Sequence, residues 1–307
     1  DTRRCELYSQ TVMTEPVQIS PYLTPGSTLV QKRKRPISSL PYMIKGNMPY
    51  DGGYLLMDVT TKNHIVEQDR RVLQYMRRIV GSDEFINGIE RWCFWITDDK
   101  ADAALEIPII KERADLVRDL RLGKADKSAQ RLAAYPYRFR EMHETTTNSL
   151  VIPSVSSENR EYVPVGFVDK KTVVTNLAFV IYDCDPWIFG VVSSKMHNLW
   201  IKAVCGGLET RIRYSSELGY NTFPFPAITD EQKKDIRNCV NQVIAAREEE
   251  FDKTYAQMYK KDEMSDDLRF AHSMLDLQIE RCYRDEPFVS DDERLDCLFE
   301  LYEKIGG

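Results

Sequence analysis

The sequence lacks any long apolar run. Its longest apolar stretches, such as residues 173–182, contain polar residues and fall well short of the roughly 18 residues that a membrane-spanning helix needs. It also shows no secretory signal peptide. We therefore expect no contact with a membrane and a cytoplasmic location.

The seven cysteines are odd in number, widely spaced and never arranged as C-x-x-C. This usage indicates a reducing compartment and argues against a structural zinc site. The four histidines lie far apart, and only His272 has a carboxylate, Asp276, at helical spacing. We interpret that pair as a hydrogen bond on a helix surface, and the sequence predicts no metal site.

A glycine-rich loop that could cradle a nucleotide-like cofactor is missing as well. Residues 47–50 (Asn-Met-Pro-Tyr) and 185–187 (Asp-Pro-Trp) each come close to the Asn/Asp-Pro-Pro-aromatic tetrad that amino-methylating enzymes use to hold a flipped base, but both lack the Pro-Pro pair. Nor do the acidic residues form a nuclease-like cluster. We therefore predict no catalytic residue and no bound cofactor in this chain.

The composition is that of a globular protein, with 42% hydrophobic and 29% charged residues and a net charge of −6. The acidity is concentrated after residue 228: that part holds 12 of the 42 Lys and Arg but 21 of the 48 Asp and Glu. The remainder is mildly basic and contains the dense run Lys32, Arg33, Lys34 and Arg35. Such a run favours contact with phosphates, although charged runs are more often simply solvated.

The pattern of apolar residues and turn formers predicts an α+β fold. Residues 1–228 combine a mixed sheet with packed helices, and residues 229–307 form an acidic, all-helical domain that opens with a Thr229–Gln232 capping box. The predicted helices before it are 65–79, 108–122 and 194–204, and the predicted strands are 149–152, 162–168, 173–182, 187–192 and 208–214.

The last of these strands is the most informative. Apolar Leu208, Ile212 and Tyr214 alternate with Glu209, Arg211 and Arg213, as in a half-buried strand whose polar face carries forked donors and an acceptor. Arg reads guanine bidentately and Glu accepts from cytosine, so this face suits the edges of DNA bases. An ordinary Arg/Glu salt-bridge ladder explains the same alternation and is the alternative.

An ordered set of motifs along nearly the whole chain carries a resemblance. The motifs are Ile19-Ser-Pro-Tyr22, Gly46-Asn-Met-Pro49 with Asp51-Gly-Gly53, Glu84-Phe-Ile-Asn-Gly88 leading to Arg91-Trp-Cys93, Ile152-Pro153 with Ser156-Ser-Glu158, Phe189-Gly190, Ser193-Ser-Lys-Met-His197, residues 206–215, Tyr220-Asn-Thr-Phe-Pro-Phe-Pro226, and Ala271-His272 with Leu275-Asp276. Together they resemble the C-terminal region of the MmeI-like (type IIL) DNA methyltransferases. Gly206-Gly207 departs from that family, whose members often have Gly-Arg there.

The resemblance implies a target recognition domain followed by a helical domain, from a restriction-modification enzyme whose adenine-N6 methyltransferase domain lies outside this chain. S-adenosyl-L-methionine would be bound by that enzyme, with Mg²⁺ if it also cleaves, and by nothing in this chain. The start at Asp1, without a methionine, agrees with an excised piece. The implied partners are double-stranded DNA and the methyltransferase domain, and the implied base-reading residues are Ser154, Asn176, Leu177, Glu209, Arg211 and Arg213.

Three other interpretations stay open at this point: a recognition domain from a related phage-defence methylase or a specificity subunit, a protein-interaction module acting through the acidic tail, and a free-standing nuclease. The recognition sequence and the oligomeric state do not follow from the residues.

Overall fold

The computed structural model describes residues 7–9, 12–14, 20–22, 27–157, 160–205, 207–208 and 211–306. The strands are β1 (Leu7–Ser9), β2 (Val12–Thr14), β3 (Ile44–Lys45), β4 (Leu56–Asp58), β5 (Met76–Val80), β6 (Arg91–Phe94), β7 (Asn148–Pro153), β8 (Val155–Ser156), β9 (Gly166–Asp169), β10 (Val173–Val174), β11 (Ala178–Tyr182), β12 (Gly207–Leu208) and β13 (Arg211–Arg213). The helices are α1 (Val59–Gln68), α2 (Ser82–Asn87), α3 (Ala101–Leu105), α4 (Pro108–Leu122), α5 (Lys127–Leu132), α6 (Pro186–Ser193), α7 (Lys195–Val204), α8 (Asp230–Glu248), α9 (Tyr255–Met258), α10 (Asp266–Glu280) and α11 (Asp291–Gly306).

Among the described residues, these strands form four sheets, with the orders β1-β2, β10-β5-β6-β4, β3-β11-β7-β9 and β12-β13-β8. β10 pairs parallel to β5, whereas β6 pairs antiparallel to both β5 and β4, so the second sheet is mixed. The region after residue 228 contains helices α8 to α11. The predicted α+β class, with a mixed sheet and a helical C-terminal region, is confirmed.

The chain divides into two compact units. The sheet unit comprises Ile44–Pro153 and Phe167–Asp183 and carries both four-stranded sheets. The helical unit comprises Asp1–Met43, Ser154–Gly166 and Cys184–Gly307, so it joins α6 and α7 to the helices of the acidic tail. The division between residues 228 and 229 stays a prediction, since the compact units follow a different partition of the chain.

A buried arginine organises one end of the sheet unit. Arg121 lies on α4, has no exposed surface, and its guanidinium donates to five backbone carbonyl groups, those of Pro49, Tyr50, Leu132, Tyr135 and Arg138. Burial lowers the pKa of this guanidinium. Because buried carbonyl groups are costly to leave without donors, Arg121 ties three loop segments to one helix.

Local signals in the sequence start the helices of the helical unit. Thr229 Oγ1 accepts from the Gln232 backbone N–H at 3.2 Å, and Gln232 Oε1 accepts from the Thr229 backbone N–H at 2.9 Å, so the predicted capping box opens α8. Ser265 caps α10 in the same position. Helices α4 and α7 also form where the apolar spacing predicts them.

Several expectations about local structure were wrong. Residues 187–192 were expected to form a strand but belong to α6, because Asp185 accepts from the Trp187 N–H as the N-cap and Pro186 occupies the first turn. The expected helix at 65–79 is divided among α1, a 3₁₀ turn at Arg70–Tyr75 and β5. Of the expected strand at 162–168, β9 forms only from Gly166.

Glycine at position 190 permits close packing of α6 against two helices of the tail. A Cβ atom there would lie 2.5 Å from Ile236 Cγ2, 3.1 Å from Leu275 Cδ1 and 3.2 Å from Val240 Cγ2. Since 2.5 Å is far inside van der Waals contact, any side chain at residue 190 would push α8 and α10 away.

We expect Gly190→Ala to lower the free energy of unfolding by about 1–3 kcal/mol, the usual cost of overpacking, against a gain in helix propensity of only about 1 kcal/mol. Gly123→Ala is the matched control, because a Cβ there would have its nearest neighbour, Asp119 O, at 3.5 Å. Urea unfolding of both variants measures the difference. Equal stability of the two variants would contradict the packing argument.

Candidate nucleic-acid interface

The predicted reading strand lies in a small sheet of the helical unit. β12 and β13 pair antiparallel, with Gly207 opposite Ile212 and Leu208 opposite Arg211, and β13 also pairs antiparallel with β8. The expectation of one continuous strand over residues 208–214 is therefore wrong.

Two of the predicted base-reading residues come together in this sheet. Arg213 lies opposite Val155, and the Tyr214 N–H donates to the Ser154 carbonyl oxygen at 3.0 Å, so Ser154, directly before β8, lies next to the end of β13. The Arg213 side chain is exposed. Arg211 belongs to the same strand, and Glu209 lies outside the described residues.

A buried histidine supports the end of this strand. His197 Nε2 lies 2.7 Å from the Tyr214 hydroxyl, and both residues are buried. Burial lowers the pKa of His197 to about 3, so the imidazole is neutral at ordinary pH. Phe223 packs edge-on against the same ring at 4.6 Å. His197 was part of the quoted motifs, but its supporting role depends on a contact between α7 and β13 that no spacing in the sequence reveals.

The other two predicted base-reading residues, Asn176 and Leu177, belong to the sheet unit. The expected strand 173–182 is interrupted there by a turn between β10 and β11, where the Asn176 N–H donates to the Asn47 carbonyl oxygen at 2.9 Å. The Ser82 hydroxyl donates to the Leu177 carbonyl oxygen at 2.6 Å. The turn is thus fixed by hydrogen bonds, while the Leu177 side chain remains 59% exposed.

A close backbone approach also holds this turn. A Cβ atom at Gly46 would lie 2.5 Å from the carbonyl oxygens of both Val174 and Thr175. Only glycine leaves room for that approach, so the Gly46-Asn47 motif serves to position residues 175–177.

The basic segment at residues 32–35 is exposed and is anchored through its backbone. The Arg33 N–H donates to the Glu217 carbonyl oxygen at 2.9 Å, and the Asn221 side-chain amide donates to the Arg33 carbonyl oxygen at 2.8 Å. The Arg33 guanidinium donates to the Gly306 carbonyl oxygen at 2.5 Å, at the C-terminal end of α11. Lys32, Lys34 and Arg35 present exposed cations, whereas Arg33 already has a partner in the fold.

Comparison with known proteins places these features in a family. The model of the MmeI target recognition domain matches residues 25–227, and the model of the MmeI C-terminal domain matches residues 228–306. The chain belongs to the MmeI family. The resemblance inferred from the sequence motifs is therefore confirmed.

Two relatives show how much of an MmeI-type protein the chain represents. DNA methyltransferase A of Bacillus subtilis (strain 168) is 42% identical over 288 residues, which make up 94% of this chain and 33% of that protein. The solved structure of the type IIL restriction-modification enzyme MmeI in complex with DNA is similar with a TM-score of 0.89 and 35% identity, over 96% of this chain and 40% of that one. The chain thus spans less than half the length of either relative.

The two segments that come close to the catalytic tetrad, residues 47–50 and 185–187, have structural roles in this MmeI-family fold. Asp185 caps α6 and accepts two hydrogen bonds from the Arg237 guanidinium, at 2.7 and 2.5 Å. Asn47 is 1% exposed and bridges His143 and Tyr182: its amide donates to the His143 carbonyl oxygen and the Tyr182 hydroxyl, both at 3.3 Å. These side chains are committed to holding the fold together.

The His272–Asp276 pair was wrongly expected on a helix surface. Both side chains of α10 are buried, and Asp276 accepts from the Tyr162 hydroxyl at 2.8 Å and from the Lys195 N–H at 2.7 Å. His272 lies 2.7 Å from the Tyr259 hydroxyl. Burial raises the pKa of Asp276 to about 7. The pair belongs to a polar network inside the helical unit.

Two further observations concern the part of the chain that the structure describes. No group of three or more His, Cys, Asp or Glu side chains is placed to hold a metal ion there. Its helices are all too short or too polar to cross a membrane.

Proposed function

We propose that this chain recognises a specific double-stranded DNA sequence on behalf of an adenine-N6 DNA methyltransferase whose catalytic domain lies outside it. The observation that carries the proposal is the exposed Arg213, held on a strand that is paired with β8 and supported from behind by His197. An exposed arginine on a fixed backbone, in a chain of the target recognition domain family, suits readout of a base.

The proposed reading residues together match the edges of all four bases. The guanidinium of Arg213, like that of Arg211, suits the O6 and N7 acceptors of guanine, and the Glu209 carboxylate suits the amino group of cytosine. Asn176 suits adenine, and Leu177 suits the methyl group of thymine. The Ser154 hydroxyl donates or accepts with several bases. Phosphate contacts from Lys32, Lys34, Arg35 and the other exposed cations would hold the register.

The chemistry would take place on the longer protein. That protein would bind S-adenosyl-L-methionine in its methyltransferase domain and flip the target adenine out of the duplex, with Mg²⁺ if it also cleaves. The similarity to DNA methyltransferase A and to MmeI supports this proposal. The structural roles of Asn47 and Asp185 support placing the catalytic tetrad elsewhere.

A titration of the chain with random-sequence duplex DNA, followed by fluorescence anisotropy at several salt concentrations, tests this function. We expect weak binding whose logarithm falls linearly with the logarithm of the salt concentration, since phosphate neutralisation dominates non-specific affinity. Absence of salt-dependent binding would contradict DNA recognition and would favour a protein-interaction module.

Loss of Arg213 should relax sequence preference at one position. In a selection of bound duplexes from a random pool, we expect Arg213→Ala to lose about 1–3 kcal/mol of discrimination, or roughly 10- to 100-fold, at one base pair. The control Arg281→Ala removes the same charge from an exposed position at the end of α10 and should leave the selected bases unchanged. Identical base preferences in the two variants would remove Arg213 from the reading set.

A further inference from the structure

A basic cavity lies in the helical unit, which also contains the reading sheet (β8, β12 and β13). It has a volume of about 270 Å³. Its walls carry four cationic side chains, Arg160, Lys195, Lys202 and Lys261, and two acidic ones, Glu161 and Asp291. The described lining residues therefore carry an excess of positive charge in a chain whose net charge is −6.

The acidic side chains of this cavity already form ion pairs with cationic side chains of the fold. Asp291 forms an ion pair with Lys195 at 3.0 Å and also lies 3.3 Å from the Arg294 guanidinium. Glu161 forms an ion pair with Arg269, outside the cavity lining. Among the residues that the structure describes, neither Arg160 nor Lys202 forms a direct ion pair, although the negative charges of Asp291 and Glu161 partly offset the lowering of the pKa of Lys202 by burial.

The surroundings make the Arg160 charge costly. Arg160 is half-buried, and burial lowers the pKa of its guanidinium. Burial likewise lowers the pKa of the Lys202 amine. A half-buried guanidinium without a counter-ion is unfavourable, and an anion seated between it and the more exposed Lys202 amine would offset that cost.

Helix α7 builds one wall of the cavity. Lys195, Asn198, Leu199 and Lys202 follow the spacing i, i+3, i+4 and i+7, which places them on one face of the helix. The Asn198 side-chain amide donates to the Glu161 carbonyl oxygen at 2.6 Å and thereby fixes the opposite wall to α7. The cavity thus lies between α7 and residues 160–162, which this hydrogen bond holds against the helix.

Both walls lie close in sequence to strands of the reading sheet. Arg160 follows Ser154 by six residues, which span at most about 20 Å when extended. Lys202 is near the end of α7, and β12 begins at Gly207. The major groove of DNA is about 12 Å wide. A sheet that reads base edges in this groove therefore has backbone phosphates close to both of its sides.

We propose that this cavity binds a backbone phosphate of the DNA duplex, with Arg160 and Lys202 as the contacting cations. This inference rests on the proposed function and adds a phosphate site distinct from the basic segment at residues 32–35. A bound phosphate would set the register of the reading sheet without contributing base preference.

The test measures the salt dependence of duplex binding by the full chain and by Arg160→Gln and Lys202→Gln. Each variant should flatten the slope of log affinity against log salt by about one and weaken binding roughly fivefold near ~0.15 M salt, as expected for one lost phosphate contact. The control Lys234→Gln removes a charge from an exposed position of α8 outside the cavity and should keep the slope of the original chain. Lys202→Arg keeps the charge and should keep the slope, which separates charge loss from misfolding.

The outcomes distinguish failure of the proposed phosphate site from failure of the proposed DNA recognition. If the unmodified chain binds DNA with a salt slope and both glutamine variants retain that slope, the phosphate site is overturned while DNA recognition stands. If the unmodified chain does not bind DNA, both fail. A calorimetric titration with inorganic phosphate separates the two sources of the anion: binding that disappears in the glutamine variants while their DNA slope is unchanged assigns the cavity to free phosphate and overturns the proposal.

Discussion

Removal of residues 229–307 should abolish cooperative folding of the helical unit. Helix α8 packs on α6 at Gly190, where Ile236 and Val240 lie within contact distance. Helix α11 covers Trp200, whose ring centroid lies 5.1 Å from that of Phe299 and 5.6 Å from that of Tyr302. Truncation would therefore expose to solvent the apolar side chains of α6 and α7 that α8 and α11 cover.

The expected loss is comparable to the stability of an ordinary domain. Phe189, Trp200 and Val191 are each completely buried in the full chain, and each such side chain contributes about 1.5–3 kcal/mol by burial. Losing several of them, together with the bond from the Arg247 guanidinium to the Val165 carbonyl oxygen, would consume most of the roughly 5–15 kcal/mol that stabilises a native protein. We expect the 1–228 fragment to be poorly soluble and to lack a cooperative thermal transition for the helical unit.

Circular dichroism melts and the soluble fraction after expression measure this outcome. A double variant of the full chain, Phe251→Ser with Val289→Ser, is the control, because these side chains are 87% and 89% exposed and contribute little to the core. The control should melt like the original chain. A soluble 1–228 fragment with the full set of cooperative transitions would show instead that the acidic tail is an independent domain.

Helices with local start signals could be predicted from the sequence. Two such signals are the capping box of Thr229 and Gln232 and the amphipathic spacing of α4 and α10. They depend on residues within a few positions of one another, so tertiary contacts do not change them. Residues 187–192 carry no periodicity, since nearly every position of α6 is buried. A fully buried helix and a fully buried strand look alike in such a run, and the cap at Asp185 decides between them.

In the candidate interface, too, local features could be predicted from the sequence, whereas contacts between distant segments could not. The residue types on β13 suggested base readout, and the family motifs added Ser154, Asn176 and Leu177. The antiparallel pairing of β12 with β13 was missed, because alternation of apolar and charged residues does not distinguish one strand from two paired strands. The support of Tyr214 by His197, the bond between Arg33 and Gly306, and the cavity at Arg160 and Lys202 all join segments far apart in the chain.

The basic segment should contribute to DNA affinity unequally, and its largest effect comes from three of its four cations. Arg33 donates to the Gly306 carbonyl oxygen, so its charge already interacts with the C-terminal end of α11. Lys32, Lys34 and Arg35 are exposed. We expect the triple variant Lys32→Ala, Lys34→Ala and Arg35→Ala to flatten the salt slope by about three and to weaken binding on the order of 100-fold near ~0.15 M salt.

Arg33→Ala is the matched control from the same segment, and its expected effect is of a different kind. It should leave the salt slope close to that of the original chain and instead lower stability by about 0.3–1 kcal/mol, the usual contribution of a cation at a helix C-terminus. Anisotropy titrations across salt concentrations and thermal unfolding distinguish the two effects. Because phosphate contacts carry no sequence information, the triple variant should keep the base preference of the original chain. A triple variant with an unchanged slope would remove this segment from the interface, whereas a flattened slope in Arg33→Ala would mean that its guanidinium leaves Gly306 to contact DNA.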